Sequence, residues 1–176
     1  MNTEMLLQER KHKDEFFQSH LQSPLTPAQK AEFDGLSYYD PKPDLALTVT
    51  VQPFEMKEDV QIQTTTGEGR WYRRYGEFTF TTEGQQARLT LYQTPHGFFL
   101  PFADANAGKE TYGAGRYLDP EQVGDNTFLV DFNQAYNPFC AYNDAWVCPI
   151  TPAENRLQVA VRAGEKIPSG VWIDHI

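Results

Sequence analysis

Leu45-Ala46-Leu47-Thr48-Val49-Thr50-Val51 alternates apolar and polar side chains with a period of two, and Val60-Gln61-Ile62-Gln63-Thr64 does the same. That period sends successive side chains to opposite faces of an extended chain, so each segment reads as a half-buried strand. Working outward, Gly67-Glu68-Gly69 turns the chain into strands over 70–75 and 77–81. Glu83-Gly84 and Pro95-His96-Gly97 turn it again, into strands over 87–92 and 98–102. Two more are expected over 127–132 and 157–162. About eight short strands separated by turn signals define an antiparallel all-β domain. The expected fold is mainly β: a single antiparallel β-barrel or bent β-sandwich with N-terminal helical segments.

Before the strands, residues 4–21 place Leu6, Phe17 and Leu21 at helical spacing. The stretch 8–15 between them is wholly polar, which predicts a helix pinned at its ends and wet in its middle. Ser23-Pro24 ends it. Three short words, Thr26-Pro27-Ala28-Gln29, Asp119-Pro120-Glu121-Gln122 and Thr151-Pro152-Ala153-Glu154, each combine an N-cap, a proline at the first helical position and a Gln or Glu beyond. A helical turn is expected after each. The expected organisation is helical segments over 1–32, a β-domain over 33–166 and a tail over 167–176 that either docks by Val171, Trp172 and Ile173 or frays.

Composition narrows the functional classes. A chain of 176 residues buries roughly 70% of its unfolded surface and needs no metal or disulfide to make a core. Lys and Arg number 15 against 24 Asp and Glu, a net charge of -9, which argues against a nucleic-acid partner. No run of about 18 apolar residues occurs, so no membrane span is expected. The polar N-terminus lacks the apolar stretch of a signal peptide, and a cytoplasmic protein with reduced Cys140 and Cys148 is expected. No cofactor is implied, and the oligomeric state is left open.

Residues 111–165 carry the chemistry-bearing side chains. Large aromatics alternate with Asp, Asn and Cys, and prolines interrupt, so this region is either an ordered site-building loop or a polar buttress. Cys140 and Cys148 lack the ligand spacing of zinc, because His12, His20, His96 and His175 are scattered. Inert buried thiols are the expectation; a disulfide or a Cys140 nucleophile served by His96 or His175 are the alternatives. Asp131 and Asn133 follow a hydrophobic strand and either form a site or brace a turn. Gly113-Ala114-Gly115 lacks the third glycine of a dinucleotide fingerprint. Arg116 beside it either joins an internal ion pair with Asp131, Glu154 or Glu165 or holds an anion. Asp104 to Glu110 resembles half a calcium loop with its glycine misplaced, and no metal site is assigned. Arg70-Trp71-Tyr72-Arg73-Arg74-Tyr75 reads as a solvated sheet edge, with a stacked ligand as the alternative. Glu154 has a capping role in its box, and Glu77, Glu83 and Glu165 sit beside glycine turns where exposure is usual.

Thr111-Tyr112-Gly113-Ala114-Gly115-Arg116-Tyr117-Leu118, Asp131-Phe132-Asn133-Gln134-Ala135-Tyr136-Asn137-Pro138-Phe139-Cys140-Ala141-Tyr142, Cys148-Pro149, Glu154-Asn155-Arg156-Leu157 and Ala163-Gly164-Glu165 resemble the bacterial domain-of-unknown-function family labelled 1684. The resemblance extends upstream through Phe33-Asp34-Gly35-Leu36 and 98–104. Phe139 and Pro152 depart from its pattern without removing a reactive group. The family has no settled activity, so the likeness implies kinship and not mechanism. The leading expectation is a binding module for a small polar or anionic molecule, with Arg116 as anion partner and Tyr117, Asn133, Tyr136 and Asn137 as hydrogen-bonding groups. The rivals are a hydrolase-like enzyme using Cys140 or Asp131, and a structural or interaction domain without a pocket.

Overall fold

A computed structural model of the chain describes residues 1–168. Helix α1 (Thr3–Ser19) starts at Asn2, whose side chain accepts from the Met5 amide at 3.1 Å. Leu6 and Phe17 are its buried residues, whereas Leu21 is 99% exposed because the helix ends before it. Helix α2 (Pro27–Glu32) carries the full reciprocal capping box between Thr26 and Gln29.

Two antiparallel sheets follow. One joins β2 (Gln52–Pro53), β3 (Asp59–Gln63), β4 (Gly69–Thr82), β5 (Gln85–Thr94), β6 (Gly97–Phe102) and β7 (Arg116–Leu118), in the order β2-β4-β5-β6-β7 with β3 also on β4. The other joins β1 (Ala46–Thr50), β8 (Glu121–Gln122) and β9 (Thr127–Asp131) in the order β1-β9-β8. Among the described residues no pairing closes these sheets into a barrel, which corrects that form of the expectation. Both sheets feed one hydrophobic cluster: Val49, Phe128 and Val130 from the smaller meet Phe78, Leu89, Leu91 and Leu100 from the larger. A second cluster fastens the N-terminal segment, with Phe17 and Leu25 packed on Tyr112, Ala141 and Tyr142.

Several local expectations are corrected by tertiary pairing. The two strands expected over 70–81 are one, β4, with a register shift between Arg74 and Gly76. A side chain at 76 would stand 2.4 Å from the Gln52 carbonyl oxygen, so glycine is what lets β2 lie against β4 there. Over 70–72 strand β4 pairs with β3 alone, since its ladder to β5 begins at Arg73, so one side of this stretch is open as the sheet-edge reading expected. Glu121 and Gln122 pair with Leu129 and Phe128 instead of starting a helix; ladder bonds to β9 outweigh a weak capping signal. The helical turn expected after Thr151 is present as a 3-10 turn (Ala153–Asn155), but the Thr151 side chain does not cap it. The segment 157–162 forms no strand but lies beside 103–105, with Leu157 N donating to Ala103 O at 2.7 Å and Ala105 N to Val159 O at 3.0 Å.

Asn155, just before that segment, completes the β5–β6 pairing. The β5–β6 ladder pairs Thr94 with Gly97, Gln93 with Phe98 and Tyr92 with Phe99, then stops. The next rung on the same side would pair Thr90 with Pro101, and proline has no N–H to give it. The Asn155 carboxamide fills that rung: it accepts from Thr90 N at 2.8 Å and donates to Thr90 O and Pro101 O, each at 2.8 Å.

Candidate functional site

The polar middle of α1 roofs a cleft of about 350 Å³. Leu6, Glu9, Arg10 and Lys13 line it from the helix; Tyr38, Asn133, Tyr136 and Glu165 line it from below. Leu6 and Phe17 anchor the helix on either side of these polar residues, so the wet stretch seen in the sequence is the roof of this space.

Glu165 organises the floor. Its side chain is 1% exposed, not solvent-facing as its glycine neighbour suggested. Its carboxylate accepts from the Asn137 amide at 2.7 Å and the Tyr142 hydroxyl at 3.1 Å, and pairs with the Lys13 ammonium. Gly164, at φ +80°, turns the chain inward here; a Cβ would stand 2.7 Å from the Phe132 carbonyl oxygen. Burial and the Glu165 charge push the Tyr142 phenol well up, which keeps it protonated as a donor.

Arg116 is buried and spent on internal partners. It is 1% exposed, and its guanidinium donates to the carbonyls of Val161 (2.9 Å), Glu165 (3.0 Å) and Ala163. Its carboxylate neighbour is Asp104 at 3.9 Å rather than Asp131, Glu154 or the Glu165 side chain. Asp104 in turn accepts from Thr111 Oγ1 at 2.7 Å and Val161 N at 2.9 Å. Burial lowers the Arg116 pKa while the Asp104 charge opposes it. The side chain therefore shapes the 161–165 segment and reaches the cleft only through Glu165.

The other expected residues divide. Asn133 and Tyr136 line the cleft. The Asn133 carboxamide is engaged with Lys42 N (2.7 Å), Lys42 O (2.9 Å) and Asp131 Oδ1 (2.8 Å), and Tyr136 O–H donates to Asp119 at 2.7 Å. Asn137 stands behind Glu165, donating to Tyr142 Oη and Lys166 O at 3.0 Å each, while its Oδ1 is buried without a partner. Tyr117 lies elsewhere, its hydroxyl bonded to Pro149 O. Asp131 braces Asn133, accepting from its amide at 2.9 Å, which matches the turn role and not a reactive one.

Cys140 is joined to Cys148. This corrects the expectation of two free thiols and removes Cys140 as a nucleophile, since a bonded sulfur has no thiolate to offer. His96 sits in the β5–β6 turn, and His175, Val171, Trp172 and Ile173 lie outside the described residues. Alkylation of the folded protein without reductant is expected to leave both cysteines unmodified by mass, with two adducts after reduction; two adducts before reduction would refute the pairing.

The residues missed from sequence are Arg10 and Tyr38. The Arg10 guanidinium donates to the Tyr39 carbonyl at 2.9 Å and the Asn133 carbonyl at 3.4 Å and stacks 4.3 Å from the Tyr38 ring centroid. Its Nε and the Tyr38 hydroxyl are buried without hydrogen-bond partners among the described residues. Burial lowers the Arg10 pKa, and burial with nearby Glu165 and Asp14 raises that of Tyr38. The signal available was three cations, Arg10, Lys11 and Lys13, in the polar middle of an end-anchored helix.

A second groove, of about 490 Å³, lies between β3 and 150–154. Its charges satisfy one another: Arg74 grips Glu154 bidentately at 3.1 and 2.8 Å, and Tyr92 donates to the same carboxylate. Burial pushes the Glu154 carboxyl up, but these bonds outweigh it and hold it below the ordinary value. Thr151 also lines that groove, and its Oγ1 is buried without a hydrogen-bond partner among the described residues.

The fold and cleft can be set beside known proteins. A model of the family described as "Protein of unknown function (DUF1684)" matches residues 31–166, and the chain belongs to that family. The chain is also similar to the uncharacterized protein from gene locus rrnAC0354 of Haloarcula marismortui, known from a solution NMR structure. The two share 37% identity over 93% of this chain and 92% of the other, with a TM-score of 0.68. No curated protein matches it at a significant level. No helix among the described residues is long and apolar enough to cross a membrane.

Proposed function

We propose that the protein is a binding module for a small polar or anionic molecule held in the cleft beneath α1. Arg10, not Arg116, is the anion partner; Tyr38 adds a hydroxyl, and Asn133 and Tyr136 form the wall. Arg116, Asn137 and Glu165 hold that wall in place. The observation that carries the reading is the Arg10 Nε and Tyr38 hydroxyl left without partners beside a cleft. Buried polar groups are almost always satisfied, and two left unpartnered on residues that line a cleft support a ligand site there.

The test is a thermal-shift survey with a panel of small metabolites on the wild type and on Arg10→Met. A binding molecule should raise the wild-type melting temperature in a concentration-dependent way. Arg10→Met should fold, at a cost of about 1–2 kcal/mol for two lost hydrogen bonds to carbonyls, and should lose the ligand-induced rise. A rise of equal size in the variant would place the ligand elsewhere.

A further inference from the structure

Trp71, on the larger sheet, is 66% exposed. It shares a face of β4 with Arg73, two residues on. The strand register sets Gln61 of β3 opposite Trp71, Asp59 of β3 opposite Arg73, and Gln93 of β5 on the other flank of Arg73. Directly paired residues point to one face, so these side chains form a single outward platform. Tyr72 points to the opposite face, where it stacks 5.2 Å from the Phe99 ring centroid and steadies the strand from beneath. The β4–β5 ladder ends at Arg73 and Gln93 while β4 runs on to Gly69. Between the open stretch of β4 and the departing Thr94 and Pro95 lies a notch of about 460 Å³, within the size range of small-ligand sites. Unlike the buried atoms beneath α1, its groups are open to solvent: the Arg73 and Asp59 side chains are 51% and 56% exposed.

We propose that this notch is a separate binding site for a neutral pyranose sugar, one face of which stacks on Trp71 while its hydroxyls bond to Asp59, Arg73 and Gln93. A pyranose ring carries C–H groups on its faces, which suit the negative face of an indole, and hydroxyls around its rim. The polar side of the notch suits that rim. Arg73 grips Asp59 through Nε (2.8 Å) and a terminal nitrogen (3.3 Å). That spends two of the five guanidinium N–H groups and leaves lone pairs on the carboxylate, so a rigid acceptor stands beside a rigid donor. A hydroxyl both gives and accepts, and neighbouring hydroxyls match such a pair, with the Gln93 carboxamide alongside. Charge complementarity sets the class: Asp59 and Arg73 cancel, so the site selects an uncharged molecule. A nucleotide would bring its phosphates to a closed ion pair in a chain of net charge -9. The open backbone spans only 70–72, shorter than an ordinary strand, which disfavours an added peptide strand.

The probes are the methyl glycosides of glucose, galactose, mannose and N-acetylglucosamine, with methyl glucuronide and adenosine for comparison. Each is titrated at fixed ionic strength into isotope-labelled full-length protein. At least one neutral glycoside is expected to shift the Trp71 indole N–H and the Gln93 side-chain amide saturably. Trp71→Ala should weaken it at least tenfold with an otherwise native amide spectrum. If that variant does not fold, Trp71→Phe, which keeps a ring, and Gln93→Ala, which removes one amide, should each weaken it severalfold. No saturable shift with any neutral glycoside, or binding undiminished in all the variants that fold, overturns the site. Adenosine binding as tightly as the best glycoside overturns the sugar assignment, and methyl glucuronide binding tenfold more tightly than methyl glucoside overturns the choice of a neutral ligand. Each of these failures leaves the cleft beneath α1 untouched, because the two sites share no residue.

Discussion

Arg116→Ala is expected to lower the unfolding free energy by roughly 3–5 kcal/mol, the usual cost of removing one partner from a buried charge pair. The variant strands Asp104, whose side chain is fully buried, without the guanidinium 3.9 Å away. It also leaves the carbonyls of Val161, Ala163 and Glu165 without a shared donor. It removes the stacking of the guanidinium 5.0 Å from the Phe102 ring centroid as well. Urea titration followed by tryptophan fluorescence would read the loss as a lower midpoint. Arg116→Lys should recover little, because an ammonium cannot span three carbonyls as the fork does. A near-wild-type midpoint for Arg116→Ala would show that the side chain is dispensable to the fold.

Asn155→Ala is expected to cost about as much, roughly 3–5 kcal/mol, because three buried backbone groups lose their partner at once and each left unmade costs about 1–3 kcal/mol. The Thr90 carbonyl cannot be rescued across the pair, since Pro101 has no N–H to offer it. Asn155→Asp should restore the bond from Thr90 N but replace two donors with a charged acceptor facing two carbonyls, and so should be no better than alanine. Hydrogen exchange provides the local reading: the Thr90 amide should become markedly faster in Asn155→Ala, while amides of β9 keep their protection relative to the new global stability. Unchanged protection at Thr90 would mean the carboxamide does not fill the missing rung.

Much of the sheet architecture was legible because alternation is a local signal. Leu45 to Val51 and Val60 to Thr64 carry it in a handful of residues, and β1 and β3 lie there. The Thr26 box was likewise readable, because capping joins residues three apart. The failures are non-local. Glu121 and Gln122 joined a strand because β9 lies alongside them, and 157–162 runs beside 103–105 with only scattered backbone bonds. The family segment does gather near one wall, as Asn133, Tyr136, Asn137 and Glu165 show, but Tyr117 points away and Arg116 lies beneath. Burial of Glu165 depends on an inward turn at Gly164 and on Arg116 gripping the carbonyls around it, neither of which a one-dimensional reading supplies. Arg10 resembled any cation on a wet helical face until the floor under it was known.

The roof of the cleft comes from the first helix, yet Lys13 and its partner Glu165 are separated by 152 residues of chain. During synthesis α1 leaves the ribosome before the sheets do and must wait for residues up to Glu165 before the surface that receives it is complete. An early segment thus depends on a late one, and the sheet strands are all made before the compartment under α1 can close.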